Sequence, residues 1–282
     1  MTEIFETPQA IRAWSADRHR RGRRVALVPT MGALHDGHLA LIDEAARHAD
    51  DVVVSIFVNP LQFNRRDDFD RYPRGLDTDL EHCRRKGVTA VYMPTAHVMY
   101  PDGFDTHVEP GVLAEPLEGA SRPGHFRGVA TVVAKLFNAV RPDAAVFGQK
   151  DFQQLAVVRR MVLDLDMGID IVGLPTVRES DGVAMSSRNS RLDVDQRRAA
   201  RVVPTALDAV EAALTSGASD IAVLRRAGAA VVGAEPLARL DHLELVDPDT
   251  LAAATDTRAR LLAVIAVWFG DVRLIDNRLL NE

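Results

Sequence analysis

The sequence predicts an α/β fold, a doubly wound parallel sheet with a second, smaller α+β domain at the C-terminus. Three observations predict it. Short continuous apolar runs alternate with helical spacings of apolar residues through about residue 175. Most of the runs end at a turn signal, and after Asp193 the composition shifts to alanine-rich helical stretches followed by longer strand-like runs. Alternation of the first kind marks strands buried on both faces and joined by crossover helices. The 282 residues exceed the roughly 100–200 of one ordinary domain, so two domains are expected, 1–180 and 181–282.

The elements follow in order. Val25-Ala26-Leu27-Val28 is the first buried strand, ending at Pro29. Leu39, Ile42, Ala45 and Ala46 recur at helical spacing, which predicts a helix from His38 to about Ala49. Val52–Val58 is the second strand, closed by Asn59-Pro60. Asp77–Lys86 reads as a helix with acidic residues first and basic residues last, in accord with the helix dipole, and Gly87 stops it. Val88–Met93, Ala144–Phe147 and Ile169–Leu174 are further strands; Gly128–Val140 and Leu155–Leu165 are helices. Beyond Asp193, helical stretches at Arg197–Ala213 and Ile221–Ala234 precede strand-like runs at Leu240–Val246, Arg260–Trp268 and Val272–Ile275.

Bulk properties exclude several function classes. Forty acidic against thirty-four basic residues leave a net charge of -6, so no broad basic surface for nucleic acid is expected. The apolar stretch Leu261–Phe269 is far short of the ~20 residues that span a bilayer, and no membrane partner is expected. The N-terminus lacks a basic segment followed by an apolar run, which reads as a cytoplasmic, reducing setting. The single cysteine, Cys83, allows no internal disulfide and no cysteine-based zinc site; it reads as a core residue rather than a nucleophile.

Ligands of open parallel sheets bind beyond the carboxyl ends of the strands, and three polar segments stand there. In Pro29-Thr30-Met31-Gly32-Ala33-Leu34-His35-Asp36-Gly37-His38, two histidines three apart flank a glycine where a helix begins. Both imidazoles and several backbone N–H groups can point at one anion, favoured by the helix dipole. The competing reading is that Asp36 only caps the helix and the histidines sit in solvent. The histidine spacing is not the i, i+4 pair of a zinc protease helix, and no dedicated metal site is expected.

At Phe147-Gly148-Gln149-Lys150-Asp151, a lysine supplies a point charge and Asp151 can cap the next helix, in whose first turn one of Gln153 and Gln154 could face a ligand. Asn59-Pro60-Leu61-Gln62-Phe63 sets amides at the end of the second strand. Gly182–Ser190, with Ser186, Ser187 and Arg188 in a row, is either a mobile loop closing over a triphosphate or an interdomain linker. The glycine-rich segment Leu117–Gly128, with Arg122, His125 and Arg127, is either a lid or a subunit contact.

Taken in order, P-T-M-G-A-L-H-D-G-H, V-N-P-L-Q-F, L-E-G-A-S-R-P-G-H-F-R-G-V, F-G-Q-K-D-F-Q-Q and M-S-S-R-N resemble the pantothenate synthetase (pantoate–beta-alanine ligase) family, from about Val25 to Leu192. The resemblance implies a Rossmann-like nucleotide domain of the H-x-G-H adenylyltransferase kind and a two-step, ATP-dependent ligation of pantoate and beta-alanine through pantoyl adenylate. It implies ATP contacts at Met31, Gly32, Ala33, Leu34, His35, Asp36, Gly37 and His38. Further ATP contacts fall at Gly148, Gln149, Lys150, Asp151, Val177, Met185, Ser186, Ser187 and Arg188. Gln62 would touch pantoate and beta-alanine, and Gln154 pantoate. The catalytic set would be His38, His35, Lys150 and Arg188, with magnesium carried on the triphosphate and a homodimer as the assembly. The nearest alternative is a related nucleotidyltransferase that leaves the nucleotide on its product; a catalytically silent nucleotide-binding protein is the other.

Overall fold

The computed structural model describes residues 2–281. They fall into two compact units, one of residues 2–149 with 153–175 and the other of residues 150–152 with 176–281. The division therefore falls after Pro175, ahead of the expected break at residue 180, and Lys150 and Asp151 go with the second unit.

The first unit contains β1 (Glu3–Phe5), α1 (Pro8–Arg20), β2 (Val25–Thr30), α2 (Asp36–His48), β3 (Asp51–Ile56), α3 (Arg66–Asp70), α4 (Leu76–Arg85), β4 (Ala90–Tyr92), α5 (Ala96–Met99), α6 (Glu118–Ser121), α7 (His125–Val140), β5 (Ala144–Gly148), most of α8 (Phe152–Asp164) and β6 (Asp170–Leu174). Its six strands form one parallel sheet in the order β1-β4-β3-β2-β5-β6. The chain steps outward from β2 through β3 to β4, then returns to the other side of β2 as β5. That reversal is the switch point at which open sheets bind ligands.

Alternation along β2 explains the double winding. Val25 and Leu27 pack into one core with α1, α7 and α8, where Ile11, Trp14, Val129 and Leu155 lie. Ala26 and Val28 pack into the other core with α2 and α4, where Leu41, Ile42, Leu80 and Cys83 lie. Successive side chains leave a strand on opposite faces, so a strand apolar at every position is sealed only by helices on both sides.

Three differences from expectation have local causes. The edge strand β1 and helix α1 carry little continuous apolar sequence, yet Thr7 caps α1 and Pro8 occupies its first turn, a start signal that was legible. β2 runs through Pro29 to Thr30 because its ladder to β5 involves only Ala26 and Leu27, while the pairing with β3 continues past the proline. α7 begins at His125, three residues before the expected Gly128, so much of Leu117–Gly128 is helical in α6 and α7.

The second unit contains α9 (Val194–Ala199), α10 (Val202–Thr215), α11 (Ile221–Gly233), β7 (Arg239–Val246), β8 (Leu261–Phe269) and β9 (Val272–Leu280). The three strands form an antiparallel sheet in the order β7-β8-β9. Its core joins Val203, Leu207 and Leu224 of the helices to Leu243, Ile265 and Phe269 of the strands. Among the described residues no helix is long and apolar enough to cross a membrane.

Candidate active site

In the first unit, the segment after β2 turns sharply before entering α2. Gly32 has φ +80° and Ala33 φ +52°, and a side chain at Gly32 would bring Cβ within 2.9 Å of Asp79 Oδ2. Asp79, on α4 and only 2 % exposed, accepts the backbone N–H groups of Ala33 at 2.9 Å and Leu34 at 2.7 Å. Thr30 Oγ1 donates to Ser55 O at 2.7 Å and accepts from Gly32 N–H at 3.2 Å. The turn is thus held by one buried carboxylate and one buried hydroxyl.

The turn delivers His35, not Asp36, as the residue preceding the first turn of α2. Asp36 is the first helical residue and is exposed, so the reading of Asp36 as the cap is corrected. The two imidazoles lie with ring centroids 4.1 Å apart, which brings the predicted pair together. His38 Nδ1 accepts the His35 N–H at 3.3 Å. A ring nitrogen that accepts carries no proton, so in the neutral ring Nε2 carries it. Asp36 and Gly37 present first-turn N–H groups that have no intrahelical acceptor, at the positive end of the helix dipole.

A second cluster surrounds Gln62, which lies in a short 3-10 turn, Pro60–Gln62. Buried Asn59 donates to Gln62 Oε1 at 3.0 Å and to Gly128 O at 3.1 Å, and its Oδ1 accepts from Tyr100 at 2.7 Å. Burial pushes the Tyr100 hydroxyl well above its ordinary pKa, keeping it a donor. Gln62 Nε2 approaches Met31 Sδ at 3.2 Å, so two of the predicted contact residues meet. The Gln62 carbonyl accepts from Arg122 at 3.1 Å and from His125 Nδ1 at 2.8 Å. Gly128 is required where α7 passes this turn, because a Cβ there would stand 2.4 Å from Leu61 O.

This geometry replaces the lid reading of Leu117–Gly128: His125 is buried and tied to Gln62. The structure also separates the two glutamines of α8. Gln153 is consumed by Leu113 O, Pro116 O and Glu118 N–H, while Gln154 is half-buried. Gly148 and Gln149 follow at the carboxyl end of β5. Of the charged segment Arg65-Arg66-Asp67-Asp68 the first three residues are exposed, and Arg65 pairs with Asp67 at 2.6 Å. Cys83 is fully buried and its thiol is pushed up to about 12 by burial and by Asp79, in accord with the expected core residue.

In the second unit, the segment from Val177 to Met185 doubles back on itself. Met185 N–H donates to Val177 O at 3.0 Å, Glu179 N–H donates to Val183 O at 2.8 Å, and Gly182 turns the chain at φ +88°. Arg197 clamps this hairpin through Glu179 at 2.6 Å and Asp181 at 2.8 Å. The Asp181 carboxyl is held below the usual range by its hydrogen bond from Arg197. Ser186 then caps a 3-10 turn, Ser187–Arg191, accepting from Arg188 N–H at 3.3 Å. The segment is therefore neither a bare linker nor an untethered loop. Lys150, whose ammonium stands 3.7 Å from Asp151 Oδ2, is bonded through its carbonyl to Asn277 at 2.8 Å.

Sequence reasoning missed Asp79, Tyr100, Arg178, Asp276 and Asn277. Asp79 is disguised as a dipole-compensating residue in the first turns of a helix, and the other four have no motif. Among the described residues no three His, Cys, Asp or Glu side chains cluster as a metal cage.

The family model for pantoate-beta-alanine ligase matches residues 3–279. The pantothenate synthetase of Moorella thermoacetica is 49% identical over 279 residues, covering 99% of each chain. That of Acidobacterium capsulatum is 52% identical over 260 residues, covering 92% of this chain and 87% of its own. The crystal structure of pantothenate synthetase from Thermus thermophilus superposes with a TM-score of 0.92 at 46% identity, covering 98% of both chains. Pantoate-beta-alanine ligase from Francisella tularensis, solved in complex with beta-gamma ATP and beta-alanine, superposes with a TM-score of 0.82 at 31% identity, over 99% of this chain and 98% of that one. With a histidine pair at the start of α2 and a match that runs almost end to end, the chain belongs to the pantoate–beta-alanine ligase family.

Proposed function

We propose that this protein joins pantoate to beta-alanine, consuming ATP and yielding pantothenate, AMP and pyrophosphate by way of a pantoyl adenylate. The observation that carries the reading is the His35–His38 pair, rings 4.1 Å apart at the start of α2, in a chain matched by the family over residues 3–279. In the first step a pantoate carboxylate oxygen attacks the α-phosphorus of ATP and the bond to pyrophosphate breaks. In the second, the beta-alanine amine attacks the acyl carbon, the C–N bond forms, AMP leaves and the amine loses a proton.

Positioning and charge neutralisation dominate such displacements. The Nε2–H tautomer of His38 supports a role as a hydrogen-bond donor to developing phosphate charge rather than as an acid that must lose its proton. His35 and the backbone of Met31, Gly32, Ala33, Leu34, Asp36 and Gly37 would line the same phosphates. Gly148, Gln149, Lys150, Asp151, Val177, Met185, Ser186, Ser187 and Arg188 would bind the remainder of ATP, with Lys150 and Arg188 as its cations. Gln62, oriented by Asn59, would hold pantoate and beta-alanine, and Gln154 would hold pantoate. Magnesium would arrive as part of the ATP substrate. Family membership supports a homodimeric, cytoplasmic enzyme.

The test is isotope exchange of pyrophosphate into ATP. Exchange that depends on pantoate and not on beta-alanine, with AMP released only when both are present, is the expected result. No exchange would sink the adenylate route, and pyrophosphate release without AMP would favour a nucleotidyltransferase that keeps the nucleotide on its product.

A further inference from the structure

We infer that Asp276 and Asn277, neighbours on β9, are positioning residues that together set the two anion-binding segments of the second unit. The inference rests on the assignment of Lys150 and Ser186–Arg188 to the phosphates of ATP. Adjacent residues of a strand project to opposite faces, so this pair can reach two separate stretches of chain from one rigid element.

Asp276 reaches the first stretch. Its side chain is fully buried and takes both guanidinium arms of Arg178, at 2.6 and 3.1 Å. Arg178 also donates to Gly182 O at 3.0 Å and bridges to Ala184 across the hairpin. One residue beyond Ala184, Met185 closes the hairpin on Val177, and Ser186 follows. The fork of arginine fixes direction as well as distance, so the carboxylate orients the hairpin arm that leads into Ser186 and the 3-10 turn carrying Ser187 and Arg188.

Asn277 reaches the second stretch. Its amide donates to the Lys150 carbonyl at 2.8 Å, and its own backbone N–H donates to Asp276 Oδ1 at 2.8 Å. The bond to Lys150 uses main chain, so it anchors the residue without engaging the ammonium. Asp276 and Asn277 are 3 % and 8 % exposed. Apolar residues of similar volume often replace a buried ion pair at no cost in stability, so stability alone does not account for the Arg178–Asp276 pair, in accord with a geometric role.

The roles predict a separation of the two half-reactions, because contacts to the two phosphates that depart as pyrophosphate act in adenylation and have no partner when the amine attacks preformed adenylate. In Asn277→Ala and in Arg178→Lys, pantoate-dependent pyrophosphate exchange falls about 10-fold, as expected of displaced catalytic groups. Consumption of supplied pantoyl adenylate by beta-alanine stays within about 2-fold of wild type by the same reasoning. Lys150→Ala is the reference. If it leaves exchange unchanged, the ATP assignment itself fails. If it collapses exchange while the other two variants retain the wild-type rate, the positioning role is overturned. Equal loss of both half-reactions in Asn277→Ala and Arg178→Lys also overturns it, since that is the mark of general destabilisation.

Discussion

The Asp79 carboxylate accepts the Leu34 N–H at 2.7 Å, joining α4 to the turn that launches α2. With the second bond from Ala33, it supports two successive residues of positive φ, one of them an alanine. Left-handed backbone at a non-glycine residue costs roughly 1–2 kcal/mol, and a charge-assisted bond returns about 1.5–3 kcal/mol. Asp79→Ala therefore loses about 3 kcal/mol of unfolding free energy in urea, and its pyrophosphate exchange falls while the protein is still folded. An unchanged urea midpoint together with normal exchange would refute the link between this carboxylate and the histidine pair.

Gly128→Ala tests how closely α7 approaches the Pro60–Gln62 turn. The added methyl meets backbone atoms of Leu61 and Gln62 rather than a yielding side chain, so the expected destabilisation is about 1–3 kcal/mol. Gln62 moves with its turn, and KM for beta-alanine rises while KM for ATP holds. Steady-state kinetics with each substrate varied in turn checks this.

The partners of His125 determine its tautomer. The Gln62 carbonyl can only accept and Arg122 can only donate, so Nδ1 carries the proton and Nε2 accepts from Arg122 at 3.3 Å. Asparagine places an amide near the Nδ1 position and glutamine near Nε2. His125→Asn should retain several times more ligase activity than His125→Gln. The reverse order would show that the bond to the Gln62 carbonyl is not what matters.

Cys83 gives a stability signature at high pH. Burial raises its thiol from 9.0 to about 12, so the folded protein holds that proton more tightly than the unfolded chain does. The associated stability is complete below about pH 9 and is lost as pH rises toward the folded value. Near pH 8, alkylation of Cys83 is expected to proceed only at the rate of opening, and to accelerate with urea. Rapid labelling of the native protein, followed by mass spectrometry, is the outcome that contradicts it.

Much of the fold was legible because buried parallel strands leave an unambiguous trace: Val25–Val28 and Val52–Val54 are apolar at every position. The edge strand Glu3–Phe5 was not, since an edge needs no second apolar face. Gln153 and Gln154 were equivalent as sequence and became distinct only when the segment 113–118 was seen to occupy the first of them. Asp79 and Asp276 were invisible because a charged residue in a helix or a terminal strand ordinarily faces water.

The order of apolar runs and turn signals by itself determined the parallel sheet, the places where ligand-binding loops leave it, and the residue types those loops carry. Local periodicity and backbone chemistry act over a few residues and are written in contiguous sequence. Only the tertiary structure decided which buried polar side chains hold those loops. Asp79 bonds to Leu34 across 45 positions and Asn277 to Lys150 across 127. A hydrogen bond between residues so far apart depends on the packed distance between elements, which no local pattern specifies.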